Sequence, residues 1–166
     1  MNNEKIIISI FSWITVIITM LIVINFSLEN GTKSTNTSDN VVDSVVEVIP
    51  NNNSMSQEQK DNLTHIIRKI AHFGIYMLLG FTIINAFNVT IKWKYIFSLA
   101  VSVILSSLFA MFDEFIIQAY SAGRVPLWSD VIIDFFGATV GALLFVSFIS
   151  IYNLIKKQNK KKEILN

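Results

Sequence analysis

Residues 6–26 read IIISIFSWITVIITMLIVINF, a run without a single charged side chain. A helix of about 20 apolar residues is long enough to cross a hydrocarbon core of about 30 Å, so this run predicts a membrane-spanning helix. A cleaved secretory signal is the competing interpretation, because the run is N-terminal and follows Lys5. Signal peptides have apolar regions of only about 7 to 15 residues and end in a small-residue cleavage site. Residues 24–28 do not resemble such a site, which favours an uncleaved anchor.

Three further apolar segments follow, at residues 70–89, 95–112 and 131–152. Hydrophobic residues make up 52% of the chain and charged residues only 15%, whereas charged residues form about a quarter of a soluble domain. The pattern predicts an all-α membrane protein, an antiparallel bundle of four transmembrane helices. Because the chain has no cysteine, disulfides, thiolate metal sites and cysteine nucleophiles are excluded.

The segments between the spans differ in polarity and divide the chain into parts. The predicted parts are an anchor helix at 1–28, a flexible polar loop at 29–55, a three-helix membrane domain at 56–155 and a basic cytoplasmic tail at 156–166. Within the loop, residues 41–48 are consistent with a short amphipathic helix or strand on the membrane surface. The sequence SQEQ at 56–59 predicts a capping box that starts the second helix. A short interfacial segment is expected between helices three and four.

Basic and acidic residues are segregated between the two ends of this topology. One end holds Lys5, Lys92, Lys94, Lys156, Lys157, Lys160, Lys161 and Lys162. The other holds most of the acids, from Glu29 to Asp130. Since an excess of lysine and arginine marks the cytoplasmic side of short loops, both termini are expected in the cytoplasm. The starts of helices two and four and the end of helix three then face outward.

Helix two carries three polar residues on one face. Arg68, His72 and Tyr76 are spaced by four, and residues four apart are neighbours on a helix. Arg68 lies at the membrane interface, where Lys69 is interpreted as a headgroup anchor. His72 lies inside the span, and an ionisable group there is costly enough to indicate function by default.

Helix three ends in two adjacent carboxylates. Glu114 and Gln118 share a face, whereas Asp113 is expected to point about a hundred degrees away. Two acids at a helix C-terminus oppose the macrodipole, which favours cations there. A nearby partner is therefore expected among Arg124, Arg68 and His72, the alternative being a solvated acidic helix end.

The turn before helix four presents a single arginine, Arg124, between Gly123 and Pro126. Because arginine pairs with two oxygens of a carboxylate or phosphate, Arg124 either locks Asp113 and Glu114 or contacts an anionic headgroup. The sequence leaves both interpretations open.

Helix four is expected to begin with Ser129 or Asp130 as its N-cap. Asp134 lies within the span and needs a partner, and His72 at matching depth on helix two is the predicted one. Gly137 and Gly141 form a GxxxG pattern, which lets another helix approach closely.

Four blocks of these residues occur in an order that resembles the VanZ-like family over residues 60–150. The blocks are RKIAHF at 68–73 with Tyr76, Asp113-Glu114 with Gln118, Gly123-Arg124, and Asp130 with Asp134, Gly137, Ala138 and Gly141. Members of this family are bacterial multi-pass membrane proteins named after an accessory protein that lowers susceptibility to teicoplanin. The resemblance implies a place in the bacterial cell membrane and a role in glycopeptide resistance. Many relatives carry Glu where this chain has Ile75, so this chain lacks one potential acid or ligand at that position.

Three functions are compatible with these residues. In the first, a non-enzymatic envelope protein binds or excludes an amphiphilic ligand, a glycopeptide antibiotic or a lipid-linked wall precursor, and Arg68 and Arg124 contact its anionic part. The residues expected to bind that ligand are Arg68, His72, Tyr76, Asp113, Glu114, Gln118, Arg124, Asp130 and Asp134. Besides the ligand, the lipid bilayer is the expected partner and nucleic acid is not.

The second function is that of a membrane-embedded enzyme acting on a lipid phosphate headgroup. Its catalytic candidates are His72, Asp134, Asp113 and Glu114. His72 would act as acid or base, oriented by Asp134, and the two other carboxylates could hold a divalent cation, since hard cations prefer oxygen ligands. No other metal or cofactor is expected. The third possibility is that the polar residues only lock the bundle, because buried polar groups must be paired in lipid.

Overall fold

Four long helices make up most of the described part of the chain in the computed structural model. The structure describes residues 3–28, 41–42, 44, 56–91, 94–121 and 125–165, with side chains as far as 162. The helices are α1 (Asn3–Ser27), α2 (Gln57–Thr90), α3 (Tyr95–Phe112) and α4 (Trp128–Leu165). A π-helical turn (Asp113–Ile117) and a 3₁₀ turn (Gln118–Tyr120) continue α3. All four helices are long and apolar enough to cross a membrane, which confirms the predicted all-α bundle.

The start of α2 follows the predicted capping box. The Ser56 hydroxyl accepts from the Gln59 amide N–H at 3.3 Å, and the Gln59 side chain accepts from the Ser56 amide at 2.9 Å. The first helical turn of α2 is therefore stabilised by its own side chains.

Of the predicted surface segment 41–48, only Val41, Val42 and Ser44 are described, and they are helical. The rest of the predicted polar loop lies outside the described residues.

A stripe of small and polar residues on α1 faces α2. Its buried residues are Ser9, Ser12, Val16, Thr19, Val23 and Ser27, spaced by three or four, as in a helix–helix seam. Thr90 of α2 makes two contacts with α1. Its hydroxyl lies 2.7 Å from the Ser9 hydroxyl and accepts from the Trp13 indole N–H at 3.0 Å. Hydrogen bonds of this kind hold helices together in lipid, where the hydrophobic effect does not drive helices together.

The tightest contact in the bundle joins α2 and α4. A Cβ atom on Gly141 would overlap the backbone carbonyl of Met77, and one on Gly137 would overlap that of Phe73. Gly80 of α2 lies in the same way against the carbonyl of Ala138. The two helices start at the same end and run parallel, so glycine on both helices lets their backbones touch. This contact sets the depth at which His72 and Asp134 meet.

α3 completes the bundle through small residues. Ser98, Ser102, Ser106 and Ala110 are buried and spaced by four, so they form one face of the helix. The Ser102 hydroxyl donates to the carbonyl of Gly80 at 2.9 Å. The middle of α3 is thereby held against α2 at Gly80, which also contacts α4.

α4 continues past its apolar segment into the basic tail. With 38 residues, it is roughly 57 Å long at about 1.5 Å per residue, well above the 30 Å or so of a hydrocarbon core. Residues 151–162 are exposed. The predicted tail is therefore a helical extension of the last span as far as Leu165.

Candidate functional site

Polar residues from all four helices meet where α1 and α3 end and α2 and α4 begin. We refer to this as the predicted outer end. The polar cluster consists of Ser27, His72, Tyr76, Asp113, Glu114, Gln118 and Asp134. Tyr76, Asp113 and Asp134 are completely buried, and Glu114 is 1% exposed. The cluster is thus an interior feature of the bundle.

A π-helical turn brings the end of α3 into the cluster. The backbone N–H of Gln118 donates to the carbonyl of Asp113, five residues earlier. This wider turn places residues five apart on one face, so the Gln118 amide donates to Asp113 Oδ2 at 3.3 Å and to Glu114 Oε2 at 2.6 Å. The expectation that Asp113 points away from the face of Glu114 and Gln118 is wrong, because it assumed α-helical geometry. Such π turns are frequent at functional sites.

Asp113 is the most highly connected residue of the cluster. Its Oδ2 atom accepts from the Ser27 hydroxyl at 2.7 Å and from the Tyr76 hydroxyl at 3.2 Å, besides the Gln118 amide. Its Oδ1 atom is buried and has no hydrogen-bond partner. One oxygen of this carboxylate therefore holds three elements together while the other is unused.

Glu114 fixes the connection between α3 and α4. Its Oε1 atom accepts from the backbone N–H of Leu127 at 2.8 Å, one residue before α4 begins. At the other end of that connection, the Ser121 hydroxyl donates to the carbonyl of Ser27 at 2.8 Å. The partners of both carboxylates are neutral donors, where the sequence favoured a cation. No ion pair joins Arg68 to any described residue.

His72 and Asp134 lie side by side, as their depths in the sequence predict. His72 Nδ1 is 3.7 Å from Asp134 Oδ1, which is ion-pair contact but too long for a hydrogen bond. His72 Nδ1 and both carboxylate oxygens of Asp134 are buried without a hydrogen-bond partner. The pair therefore leaves three buried polar atoms without a hydrogen bond.

Other predicted site residues lie around the cluster or outside the described part of the chain. Asp130 pairs with Lys69 at 3.7 Å and accepts from the Ser129 hydroxyl at 3.1 Å, so it belongs to the rim. Arg68 is half-buried on α2. Arg124, with either of its predicted roles, lies outside the described residues.

Ser27 and the Leu127 amide were not anticipated from sequence. Ser27 is fully buried and ends the small-residue stripe on α1. That stripe was a usable signal, since regularly spaced hydroxyls on an apolar helix mark the face that meets other helices. Nothing in the sequence distinguishes the Leu127 amide, because every residue except proline carries the same N–H.

The cluster is rich in hydrogen-bond acceptors from its carboxyl groups and its imidazole. Among the described residues, no group of three or more His, Asp or Glu side chains has the geometry to hold a metal ion. The arrangement can accept hydrogen bonds, exchange protons with a bound group, or pair with a cationic one.

A sequence model of the VanZ/LLP1 family matches residues 11–151. The chain belongs to the VanZ/LLP1 family. The matched range includes most of α1 and is therefore wider than residues 60–150, over which the sequence motifs resemble the family. No curated protein and no solved structure matches the chain. Family membership and the four spans together describe a multi-pass membrane protein of the VanZ/LLP1 family.

Proposed function

We propose that this VanZ/LLP1 protein is a non-enzymatic component of the bacterial cell membrane that binds an amphiphilic ligand at the polar cluster. Both termini lie in the cytoplasm in this proposal, because the opposite end of the bundle carries most lysines of the chain. The cluster then lies at the end of the bundle nearest the outer leaflet, where envelope ligands are found.

The observation that carries the proposal is a set of four buried polar atoms without partners. They are His72 Nδ1, Asp113 Oδ1, Asp134 Oδ1 and Asp134 Oδ2. Burying a polar atom without a hydrogen bond costs about 1 to 3 kcal/mol, and in lipid such groups are normally paired. Four of them within one cluster favour a site that is completed by a bound molecule.

The ligand class follows from the surroundings and from the family resemblance. Exposed apolar side chains flank the cluster at the predicted outer end, among them Phe115 and Trp128, whose rings are 4.7 Å apart. They suit a lipid tail, while the cluster suits a polar head. We therefore propose a glycopeptide antibiotic or a lipid-linked wall precursor as the ligand, and a contribution to teicoplanin resistance as the consequence. Arg68 and Arg124 are the proposed contacts for anionic groups.

Mass spectrometry of molecules retained by the purified full-length protein tests this proposal. Wild-type protein and Asp113→Asn are prepared from the same cells, with and without added teicoplanin. We expect the wild type to retain a lipid-linked precursor or the antibiotic and Asp113→Asn to lose most of it. Asp61→Asn serves as the matched control, because Asp61 is exposed on the first turns of α2. Identical retained molecules in all three preparations would contradict ligand binding at the cluster.

One observation favours a second function, that of a membrane-embedded enzyme acting on a lipid phosphate headgroup. His72 and Asp134 are in the contact expected of an acid–base residue and the carboxylate that orients it. In this alternative, His72→Gln abolishes phosphate release from a lipid phosphate while the protein remains folded. A divalent cation held by Asp113 and Glu114 is proposed only for this alternative. Lack of phosphate release by the wild-type protein over a panel of lipid phosphates would remove it.

A further inference from the structure

The polar cluster contains more acidic than basic side chains. Its acids are Asp113, Glu114 and Asp134, and its base is His72. Lys69 pairs with Asp130 on the rim. Within the described part of the chain, no lysine or arginine pairs with a carboxyl group of the cluster.

The atoms left without partners can all accept hydrogen bonds. Asp113 Oδ2 already has three donors, so Oδ1 is its remaining acceptor. Neither oxygen of Asp134 has a hydrogen-bond partner, and His72 Nδ1, which also has none, accepts in the tautomer that carries its proton on Nε2. These atoms belong to α2, to the π turn after α3, and to α4.

We propose that these acceptors bind the protonated primary amine of the ligand's head group, an inference that rests on the proposed binding of an amphiphile at the cluster. A primary ammonium group carries one positive charge and three N–H donors, which matches the excess of carboxylates and the unused acceptors. A hydroxyl group supplies a donor without the charge. A quaternary ammonium group supplies the charge without a donor.

The difference between the primary and the quaternary ammonium group provides the test. Full-length protein is placed in nanodiscs that contain equal amounts of ethanolamine and choline phospholipids with identical tails. After extraction into mild detergent, the retained lipids are counted by native mass spectrometry. A hydrogen bond to a charged group corresponds to roughly a tenfold change in affinity, so we expect about tenfold enrichment of the ethanolamine lipid.

The same measurement on variants locates the site. Asp134→Asn keeps the shape of the side chain and removes its charge, and we expect it to lose the enrichment. Asp61→Asn, the exposed control, should keep it. The preference of the wild type needs no variant, so it tests the inference even where a substituted protein fails to fold.

A soluble competitor distinguishes a free amine that binds from water from the amine of a membrane lipid. Millimolar glycerophosphoethanolamine displaces the retained lipid if the head group alone binds from water. If the enrichment persists with the competitor present, the ligand is a lipid whose tail contributes to binding. Both results support an amine site.

Two results overturn the inference, and they are distinguishable. Retention that depends on Asp134 but does not discriminate ethanolamine from choline contradicts the amine site and leaves ligand binding at the cluster intact. Retention that is the same in the wild type and in Asp134→Asn contradicts both.

Discussion

The hydroxyl of Ser27, the last residue of α1, donates a 2.7 Å hydrogen bond to the buried carboxylate of Asp113. The carbonyl of the same serine accepts from Ser121, which follows the π and 3₁₀ turns. A single residue of the predicted anchor helix therefore holds both the acidic turn and the start of the connection to α4. α1 is thus part of the polar cluster as well as a span.

The first prediction concerns this contact. Ser27→Ala removes one of three donors from a buried carboxylate oxygen and should destabilise the protein by about 1 to 3 kcal/mol. The measurement is the Tm of purified protein in a single detergent. Ser150→Ala, on an exposed position of α4, is the control and should leave the Tm unchanged. Equal Tm values for the two variants would show that the hydrogen bond contributes nothing.

The second prediction concerns the glycine contact between α2 and α4. Gly141→Ala forces a methyl group into the Met77 carbonyl and should sharply lower the Tm and the yield of folded protein, because backbone cannot move aside cheaply. Gly74→Ala is the matched control, since a Cβ there meets nothing within 4 Å. Alanine exceeds glycine in helix propensity by up to about 1 kcal/mol, so Gly74→Ala should be neutral or stabilising. Equal losses in both variants would contradict close packing at Gly141.

The third prediction separates a binding role of Asp134 from a purely structural one. Asp134→Asn replaces a buried carboxylate, whose oxygens have no hydrogen-bond partner, by a neutral group of the same shape. Because burying a carboxylate without hydrogen bonds is costly, the Tm should stay the same or rise while ligand retention falls. Thermal unfolding and retained-lipid analysis are run on the same preparation. If the Tm falls and retention is unaffected, the residue only locks the bundle.

The fourth prediction concerns the connection between α3 and α4. Glu114 accepts from Gln118 with one oxygen and from the Leu127 amide with the other. Glu114→Gln offers a single acceptor oxygen, so one of the two bonds is lost and the connection should open more often. Limited proteolysis should then cleave within residues 121–127 faster than in the wild type. Glu58→Gln, at an exposed position on the first turn of α2, should show the wild-type rate.

The fifth prediction concerns orientation in the membrane. The chain has no cysteine, so single cysteines can be introduced without removing native ones. A membrane-impermeant maleimide should label Asp61→Cys in intact cells, and it should label Lys162→Cys only after permeabilisation. Both positions are exposed in the structure, so access to the reagent depends on the side of the membrane. The reverse labelling pattern would place the polar cluster on the cytoplasmic side.

Much of the fold was predictable because bilayer thickness and backbone hydrogen bonding leave few alternatives. The third span, predicted at residues 95–112, coincides with α3. The capping box at residues 56–59 could be predicted because both of its hydrogen bonds form within four residues. The meeting of His72 with Asp134 was predictable from depth, since each lies a short distance inside its span and both helices start at the same end.

The composition of the cluster was less predictable. The sequence places Glu114 with Gln118, but the position of Asp113 depends on a π turn that adds one residue to the α-helical repeat. That turn is stabilised by contacts with Ser27 of α1 and Tyr76 of α2, and these contacts exist only after the helices have packed. The neutral partners of the acids were missed for the same reason.

The amino-acid sequence by itself determined how many apolar helices are long enough to cross the membrane, where the second helix begins, and which ionisable residues lie within the spans. These properties depend on the transfer of side chains into lipid and on hydrogen bonds between near neighbours. Only the tertiary structure decided that α1 completes the polar cluster and which polar atoms have no partner. Those relationships depend on the angle and depth at which helices pack, which side chains distant in the chain determine together.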